Sequence, residues 1–541
     1  MVLVPVYDTL GSDAVKYIGG HAELRVVFCS PENLGNLFEA FGKGEEGGLL
    51  QHVVVLGRES IALTQKEEGL LKEQEGKMKK IWKLEELIEK GVEDEGKLFG
   101  GEWDDLLVIM YTSGTTGRPK GVTLKNSALI SSVIAGLKIF DHWGVPFEDD
   151  TSMLSYLPLA HIFEQQAEAM MLGAGGKIGY YSGDFKLILN DLEELKPTAF
   201  VGVPRVFAKF QQRIEESIEE SSFIVKKLFK FAYNRQLRHA QDPLRVGRSK
   251  IWDMLVFSKV RAKLLPECKL VITGSAPMSA QTNDFLKICL ICPVVQGYGL
   301  TETVGGVVLS PPNASLSGNC GGPFPSVQVK LTDVPEMGYR ATDVPYPRGE
   351  ICLKGPVITS GYYKNEEATK EVFDEDGFFH TGDIGQWLAD GSLQIVDRKK
   401  NLFKLSQGEY ISPEQLEQEY QKAKLIAQIF VHGDSFHNYL VAVVIPDLIN
   451  AKAAGYTDQK SLATNEAFKK EVLQQLNELT KSCGFKGYER IKDCYIDTRD
   501  INELGQGFHL QNDLLTPSFK LKRPQLKQMY KTELEAMYPS N

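Results

Sequence analysis

The sequence predicts a multi-sheet α/β protein in two parts, a large portion over residues 1–397 and a smaller α+β portion over 398–541. Its 541 residues, 43% hydrophobic and 24% charged, suffice to bury more than one core. Short apolar runs at Arg25 to Cys29, His52 to Leu56 and Leu106 to Tyr111 alternate with longer helix-like stretches. That is the pattern of strand, crossover and strand in a largely parallel sheet. After Asp397 the character changes. Two strand-like runs, Ile426 to His432 and Tyr439 to Ile445, precede charged helices, and the polar link Asp397-Arg398-Lys399-Lys400 joins them to the rest.

Taken in order, Met1 to Tyr7 is a run rich in apolar and β-branched residues with no polar lead-in, as if the chain started inside a domain. Residues 58–103, polar and rich in Lys, Glu and Gly, read as a surface excursion with little strand character. Val206 to Lys263 reads as mostly helical. Within it Lys226, Lys227, Lys230, Arg235, Arg238, Arg245 and Arg248 stand among Phe223, Phe229, Phe231 and Tyr233. This composition suits a solvated amphipathic helix as well as an interfacial or anion-binding face.

A formal net charge of -10 argues against bulk binding of a phosphate backbone, which draws on clustered Lys and Arg. Eight cysteines in a chain of this length do not make a disulfide framework, and none has structural-zinc spacing, so a reduced, intracellular protein is expected. Cys289 and Cys292 form a CxxC inside the apolar run Leu286 to Val295, where buried small hydrophobes are the better reading. No run of roughly 20 apolar residues is present, and the first residues do not resemble a signal peptide.

The most informative segment is Met110-Tyr-Thr-Ser-Gly-Thr-Thr-Gly-Arg-Pro-Lys-Gly121, at the end of an apolar strand. Its small residues let backbone N–H groups approach an anion, its hydroxyls add donors, and Lys120 supplies a point charge. A plain flexible loop seldom concentrates such residues between a strand and a lysine. The segment is not GxxxxGK[ST], and no helix is expected to start at its lysine, which disfavours a P-loop NTPase. Gly42-Lys-Gly-Glu-Glu-Gly47 matches GxGxxG, but it follows a helix-like segment and carries two carboxylates where a pyrophosphate would sit. A dinucleotide fold is rejected on that ground. GxSxG and HExxH are absent from the sequence.

With that segment, Gly274-Ser-Ala-Pro277, Gln296-Gly-Tyr-Gly-Leu-Thr-Glu302, His380-Thr-Gly-Asp383, Asp397-Arg398 and Thr516-Pro-Ser-Phe-Lys520 follow in an order that resembles the adenylate-forming superfamily. Val4-Pro-Val-Tyr-Asp-Thr-Leu10, Val203-Pro-Arg205, Ile251-Trp-Asp253 with Phe257-Ser-Lys259, and Leu515 to Arg523 resemble its long-chain acyl-CoA synthetases. The resemblance implies a large adenylate-forming domain, a mobile C-terminal lid, and ATP, Mg²⁺ and coenzyme A acting on a long-chain fatty acid. It also implies a further segment before Val2.

The resemblance assigns roles residue by residue. Thr112, Ser113, Gly114, Thr115, Thr116, Gly117 and Lys120 would grip the β- and γ-phosphates. Gly274, Ser275 and Ala276 would line the adenine pocket, with Gly297 beside Tyr298, whose ring would stack on the base. Thr301 would meet the α-phosphate, and Glu302 with Thr115 would serve Mg²⁺. Asp383 would accept hydrogen bonds from the ribose hydroxyls, with Arg398 nearby. Lys520 would bridge carboxylate and α-phosphate during adenylation. His161, among apolar neighbours, is expected to position rather than to act as a base. Lys400, two positions after Arg398, would be the hinge, where many relatives carry Asp.

The acyl pocket is harder to read, because Val201, Val203, Phe207 and residues 305–308 would form a core in any case. The rival readings are another adenylate-forming enzyme, or an inactive acyl or nucleotide binder. The C-terminal Tyr-Pro-Ser-Asn541 is not an SKL-type address. The expected place is the cytoplasm, or the periphery of an endoplasmic reticulum or peroxisomal membrane.

Overall fold

The computed structural model describes residues 1–7, 10–41, 50–56, 64–74, 80–93, 100–112, 118–241, 250–312, 317–502, 505–516 and 520–538. Two compact units result, Met1–Ser127 with Tyr362–Lys364, and Ala128–Gly361 with Asn365–Asn541.

In the first unit β1 (Val26–Cys29), β2 (His52–Val55) and β3 (Lys80–Lys83) form a parallel sheet. Cys29, Val53 and Val55 pack against Leu34, Leu37 and Phe38 of the following helical segment. Residues 58–103, read as having little strand character, hold one four-residue strand, β3, among the described residues. Only Ile81 and Trp82 are apolar between two lysines, too short an alternation to mark a strand, yet pairing with β2 satisfies one edge of its backbone. β4 (Leu106–Thr112) and β5 (Lys120–Lys125) form an antiparallel pair, and Leu3 bridges to Val108. The GxGxxG at residues 42–47 lies outside the described residues.

The second unit is built on a seven-stranded sheet. β6 (Ser152–Ser155), β7 (Lys177–Tyr180), β8 (Ala199–Gly202), β9 (Leu270–Thr273) and β10 (Val294–Leu300) run parallel, in the order β10-β9-β8-β6-β7. β11 (Gly305–Leu309) and β12 (Gly322–Pro323) extend it antiparallel. Successive residues point to opposite faces of a strand. Leu154, Phe200, Val271 and Val294 therefore join one apolar cluster, while Met153, Val201, Ile272 and Val295 join another. Cys289 and Cys292 are buried in the first, as the core reading requires.

The helical reading of Val206 to Lys263 holds in helices Pro204–Glu219 and Phe223–Gln241 and in the helical run from Lys250 to Leu264. Residues Gln328 to Arg398 depart from a parallel architecture. β13 (Gln328–Thr332), β14 (Arg348–Lys354), β15 (Phe379–Trp387) and β16 (Leu393–Arg398) make an antiparallel sheet, joined by connections too short for crossover helices between the last strands.

Beyond it lie the short hairpin of β17 (Phe403–Lys404) with β18 (Tyr410–Ile411), then β19 (Ile426–His432), β20 (Leu440–Pro446) and β21 (Ile491–Ile496). β20 is buried along its whole length because both its faces are covered. Ala442 and Val444 face Phe468, Val472 and Leu476, whereas Val441, Val443 and Ile445 face Phe508, Leu526 and Tyr530.

Candidate active site

The parallel strands deliver their carboxyl ends to one edge of the seven-stranded sheet, where open α/β sheets bind ligands. Gly274 and Ser275 directly follow β9, and Gly297 and Tyr298 lie on its neighbour β10. Ser275 takes a left-handed φ of 67°, which turns the chain at the strand end. A Cβ at Gly274 would lie 3.4 Å from the Phe163 ring and 3.6 Å from the Gly297 carbonyl oxygen, so this glycine sits in ordinary contact with both.

After β10 the chain turns through Thr301–Thr303 and returns as β11. The Thr303 hydroxyl ties the turn by donating to the carbonyls of Leu300 and Gly305 and accepting from the Leu300 N–H. Glu302 is half-exposed in this turn, and its carbonyl accepts from the buried Thr359 N–H at 2.7 Å. Gln166, on the helix Ile162–Ala174, clamps the returning strand. Its Oε1 accepts from Gly306 N at 2.8 Å, and its Nε2 donates to Gly306 O at 2.9 Å.

Asp383 on β15 is the electrostatic centre. It pairs in register with Arg398 on β16. Tyr298 Oη donates to Asp383 Oδ2 at 2.8 Å, and Arg398 Nε lies 3.4 Å from Oδ1. Burial pushes the Asp383 carboxyl up, while Arg398 and the tyrosine hydroxyl pull it down. Desolvation first, and then the Asp383 charge, push the Tyr298 phenol well above its usual range, so it stays a donor.

Lys520 brings the C-terminal part of the chain to the same field. Thr516 holds its backbone from both sides, the hydroxyl accepting from Lys520 N at 3.0 Å and the Thr516 N–H donating to Lys520 O at 2.8 Å. The residue keeps some surface, but its ammonium is withdrawn from water. That desolvation, reinforced by Arg398, lowers it to about 8 against the pull of Glu414 and Asp383.

His161 caps the helix Ile162–Ala174. Phe163 N–H donates to its Nδ1 at 3.2 Å, which leaves the ring proton on Nε2. Burial first, then the Lys520 charge, lower it to about 4, so it is neutral at pH 7.

In the first unit Thr112 and Lys120 face one another across the β4–β5 pair, closing the ends of the glycine-rich segment. Lys120 begins a strand and not a helix, in keeping with the rejection of a P-loop. Its ammonium stands 4.9 Å from the Tyr362 ring centroid. Ser113, Gly114, Thr115, Thr116 and Gly117 lie outside the described residues.

Asp383, Arg398, Tyr298, Lys520 and His161 are thus brought into one electrostatic neighbourhood, and Glu302 is felt by Arg398. Sequence reasoning missed Gln166 and Glu414. Glu414 opens the helix Pro413–Tyr420, accepts from Asn401 Nδ2 at 2.6 Å, and acts electrostatically on both Lys520 and Asp383. Its signal was Ser412-Pro413-Glu414, a helix start with an acid in the first turn. Gln166 had none, standing beside Glu164, Gln165 and Glu168 with nothing in the sequence to single it out. No group of three or more His, Cys, Asp or Glu could hold a metal among the described residues. A Mg²⁺ bound largely by phosphate oxygens and water needs only one or two carboxylates, and Glu302 fits that demand.

Residues 1–363 match the AMP-binding enzyme family. Among solved structures, the adenylation domain of a carboxylate reductase from Mycobacterium chelonae superposes with a TM-score of 0.77 at 27% identity, over 99% of this chain and 76% of that one. The adenylation domain of a carboxylic acid reductase from Segniliparus rugosus, in complex with AMP and a co-purified carboxylic acid, gives 0.75 at 27%, over 99% and 78%. Fold and site define an AMP-binding, adenylate-forming enzyme. Long chain acyl-CoA synthetase 6, peroxisomal, of Arabidopsis thaliana is 40% identical over 99% of this chain and 74% of its own length. Fatty acyl-CoA synthetase A of Dictyostelium discoideum is 38% identical over 99% and 78%. The protein belongs to the long-chain acyl-CoA synthetases of that family.

Proposed function

We propose that this chain is an ATP-dependent long-chain fatty acid–CoA ligase, converting fatty acid, ATP and CoA to acyl-CoA, AMP and diphosphate through an acyl-adenylate. The observation that carries the reading is the desolvated Lys520 ammonium in the same field as the Tyr298–Asp383–Arg398 cluster.

Asp383 accepts from the ribose hydroxyls, held in place by Tyr298 and Arg398. Gly274, Ser275, Ala276 and Gly297 admit the adenine to the backbone wall, and Tyr298 covers its face. Thr301 meets the α-phosphate. Residues 112–117 and Lys120 hold the β- and γ-phosphates. Glu302 and Thr115 would hold Mg²⁺, which would supply charge neutralisation for the departing diphosphate.

The fatty carboxylate attacks the α-phosphorus, an acyl–phosphate bond forms as the bond to diphosphate breaks, and Lys520 neutralises the charge that develops. His161 remains neutral and positions the groups near Lys520. The CoA thiol then attacks the acyl carbon and AMP leaves. Residues 398–541 act as the lid that changes orientation between these steps, turning at Lys400. The enzyme works in the cytoplasm or at the periphery of an endoplasmic reticulum or peroxisomal membrane.

The test is diphosphate and palmitoyl-CoA formation by the purified chain from MgATP and palmitate, with and without CoA. Palmitoyl-CoA formation supports the reading. Palmitoyl transfer to a carrier-protein thiol but not to CoA would favour a carrier-acylating adenylation domain instead.

A further inference from the structure

The long-chain ligase reading leaves unused the basic aromatic helix that the sequence singled out. The helix Phe223–Gln241 carries five Lys or Arg and no Asp or Glu, in a chain whose net charge is -10. Its core face is accounted for, since Ala232 and Gln236 are buried and Phe229, Tyr233 and Leu237 pack on the same cluster. A second apolar set faces out. Phe223 is 69% exposed, Ile224 75% and Phe231 54%, with Val225 and Leu228 also exposed.

A neighbouring segment repeats the pattern. In the helical run from Lys250 to Leu264, Trp252, Val256 and Phe257 turn inward, while Ile251 at 62%, Met254 at 67% and Leu255 are exposed, flanked by exposed Lys250 and Lys259. The two segments adjoin. The Phe231 and Trp252 rings meet edge to face at 5.5 Å, and Gln236 donates to Asp253 at 2.9 Å. Asp253 is the one acidic residue of that second segment, and this bond holds it toward the protein.

We propose that this surface docks on the face of an anionic phospholipid bilayer, with the exposed apolar side chains entering the headgroup boundary and the cations resting on lipid phosphates. Exposed large apolar side chains clustered on adjoining helices mark an interaction surface, and one whose helix carries Lys and Arg in excess, with Glu219 paired to Lys226 at 3.1 Å at its N-terminal end, complements an anionic, part-apolar partner. The Lys227 ammonium stands 4.5 Å from the Phe223 ring centroid, so cation and exposed aromatic ring share one patch of this surface. No helix among the described residues is long and apolar enough to cross a membrane.

The experiment is co-sedimentation of the full chain with vesicles of phosphatidylcholine, with and without phosphatidylserine, in the absence of substrates. Its outcome is therefore independent of the ligase reading. Binding should be strong on the anionic vesicles, weaker on the neutral ones, and weakened by salt. Lys227→Gln with Lys230→Gln and Lys250→Gln should lower partitioning on anionic vesicles by about tenfold or more. Ile224→Ser with Met254→Ser should lower it on both, with circular dichroism unchanged because these positions are already exposed. The proposal is overturned if the folded wild-type chain does not bind, or if neither variant changes binding. It is equally overturned if the serine variants dissociate a dimer that itself fails to bind vesicles, since the surface would then be covered by a second copy.

Discussion

The Tyr298 hydroxyl donates to one carboxylate oxygen of Asp383 at 2.8 Å while Arg398 stands 3.4 Å from the other, so a buried acid is held on both of its oxygens. Tyr298→Phe keeps the ring and removes the donor. The expected loss is about 1–2 kcal/mol of nucleotide affinity, read as a rise of roughly tenfold in KM for ATP with a smaller change in kcat. An unchanged KM would separate the tyrosine from the ribose site.

Lys520→Ala should divide the two half-reactions. Adenylation should fall by about 10²–10³-fold, the scale for losing a preorganised group that stabilises developing charge, while thioester formation from supplied palmitoyl-adenylate should persist. Equal losses in both would contradict the role of Lys520.

The same lysine sets a pH dependence. With its value lowered to about 8, the ammonium is charged below that pH and lost above it. The kcat/KM for adenylation, which reports the free enzyme, should therefore decline as pH rises through about 8. In kcat the fall should move to higher pH, because bound phosphates favour the charged lysine. His161, at about 4, contributes nothing in this window. A fall of the same shape in Lys520→Ala would assign it to another group.

Gly299 predicts a structural failure. A Cβ there would sit 1.7 Å from the Gly305 carbonyl oxygen, a backbone atom that cannot move without breaking the β10–β11 pairing. Gly299→Ala should cost several kcal/mol, on the scale of severe overpacking or more, and lower the unfolding midpoint in urea together with ATP binding.

Glu417 and Arg523 form a buried ion pair at 2.5 Å, with Glu417 also accepting from Val431 N. Arg523→Met leaves the carboxylate without its cation and should destabilise the fold by about 3–5 kcal/mol. Adding Glu417→Gln should recover part of that loss in the same urea titration.

How much the sequence disclosed depended on how local the signal was. β19 is legible at both ends because five of its seven residues are apolar, and β20 nearly so. β3 is not, because two apolar residues between lysines become a strand only through pairing with β2. The antiparallel sheet β13–β16 hid for a related reason, since strand direction is fixed by connections that single apolar runs do not encode. Motif order singled out Asp383, Tyr298 and Lys520, which the fold brings into one electrostatic neighbourhood. Gln166 and Glu414 escaped, because Gln166 meets Gly306 and Glu414 acts electrostatically on Lys520, each across more than a hundred residues of chain.

The most direct test is palmitate-dependent exchange of radiolabelled diphosphate into ATP without CoA, for the wild-type chain and Lys520→Ala. Reversible formation of palmitoyl-adenylate at this site predicts exchange in the wild type that needs both Mg²⁺ and palmitate and vanishes in the variant. Palmitoyl-CoA synthesis without any such exchange, or exchange undiminished in Lys520→Ala, would contradict the account.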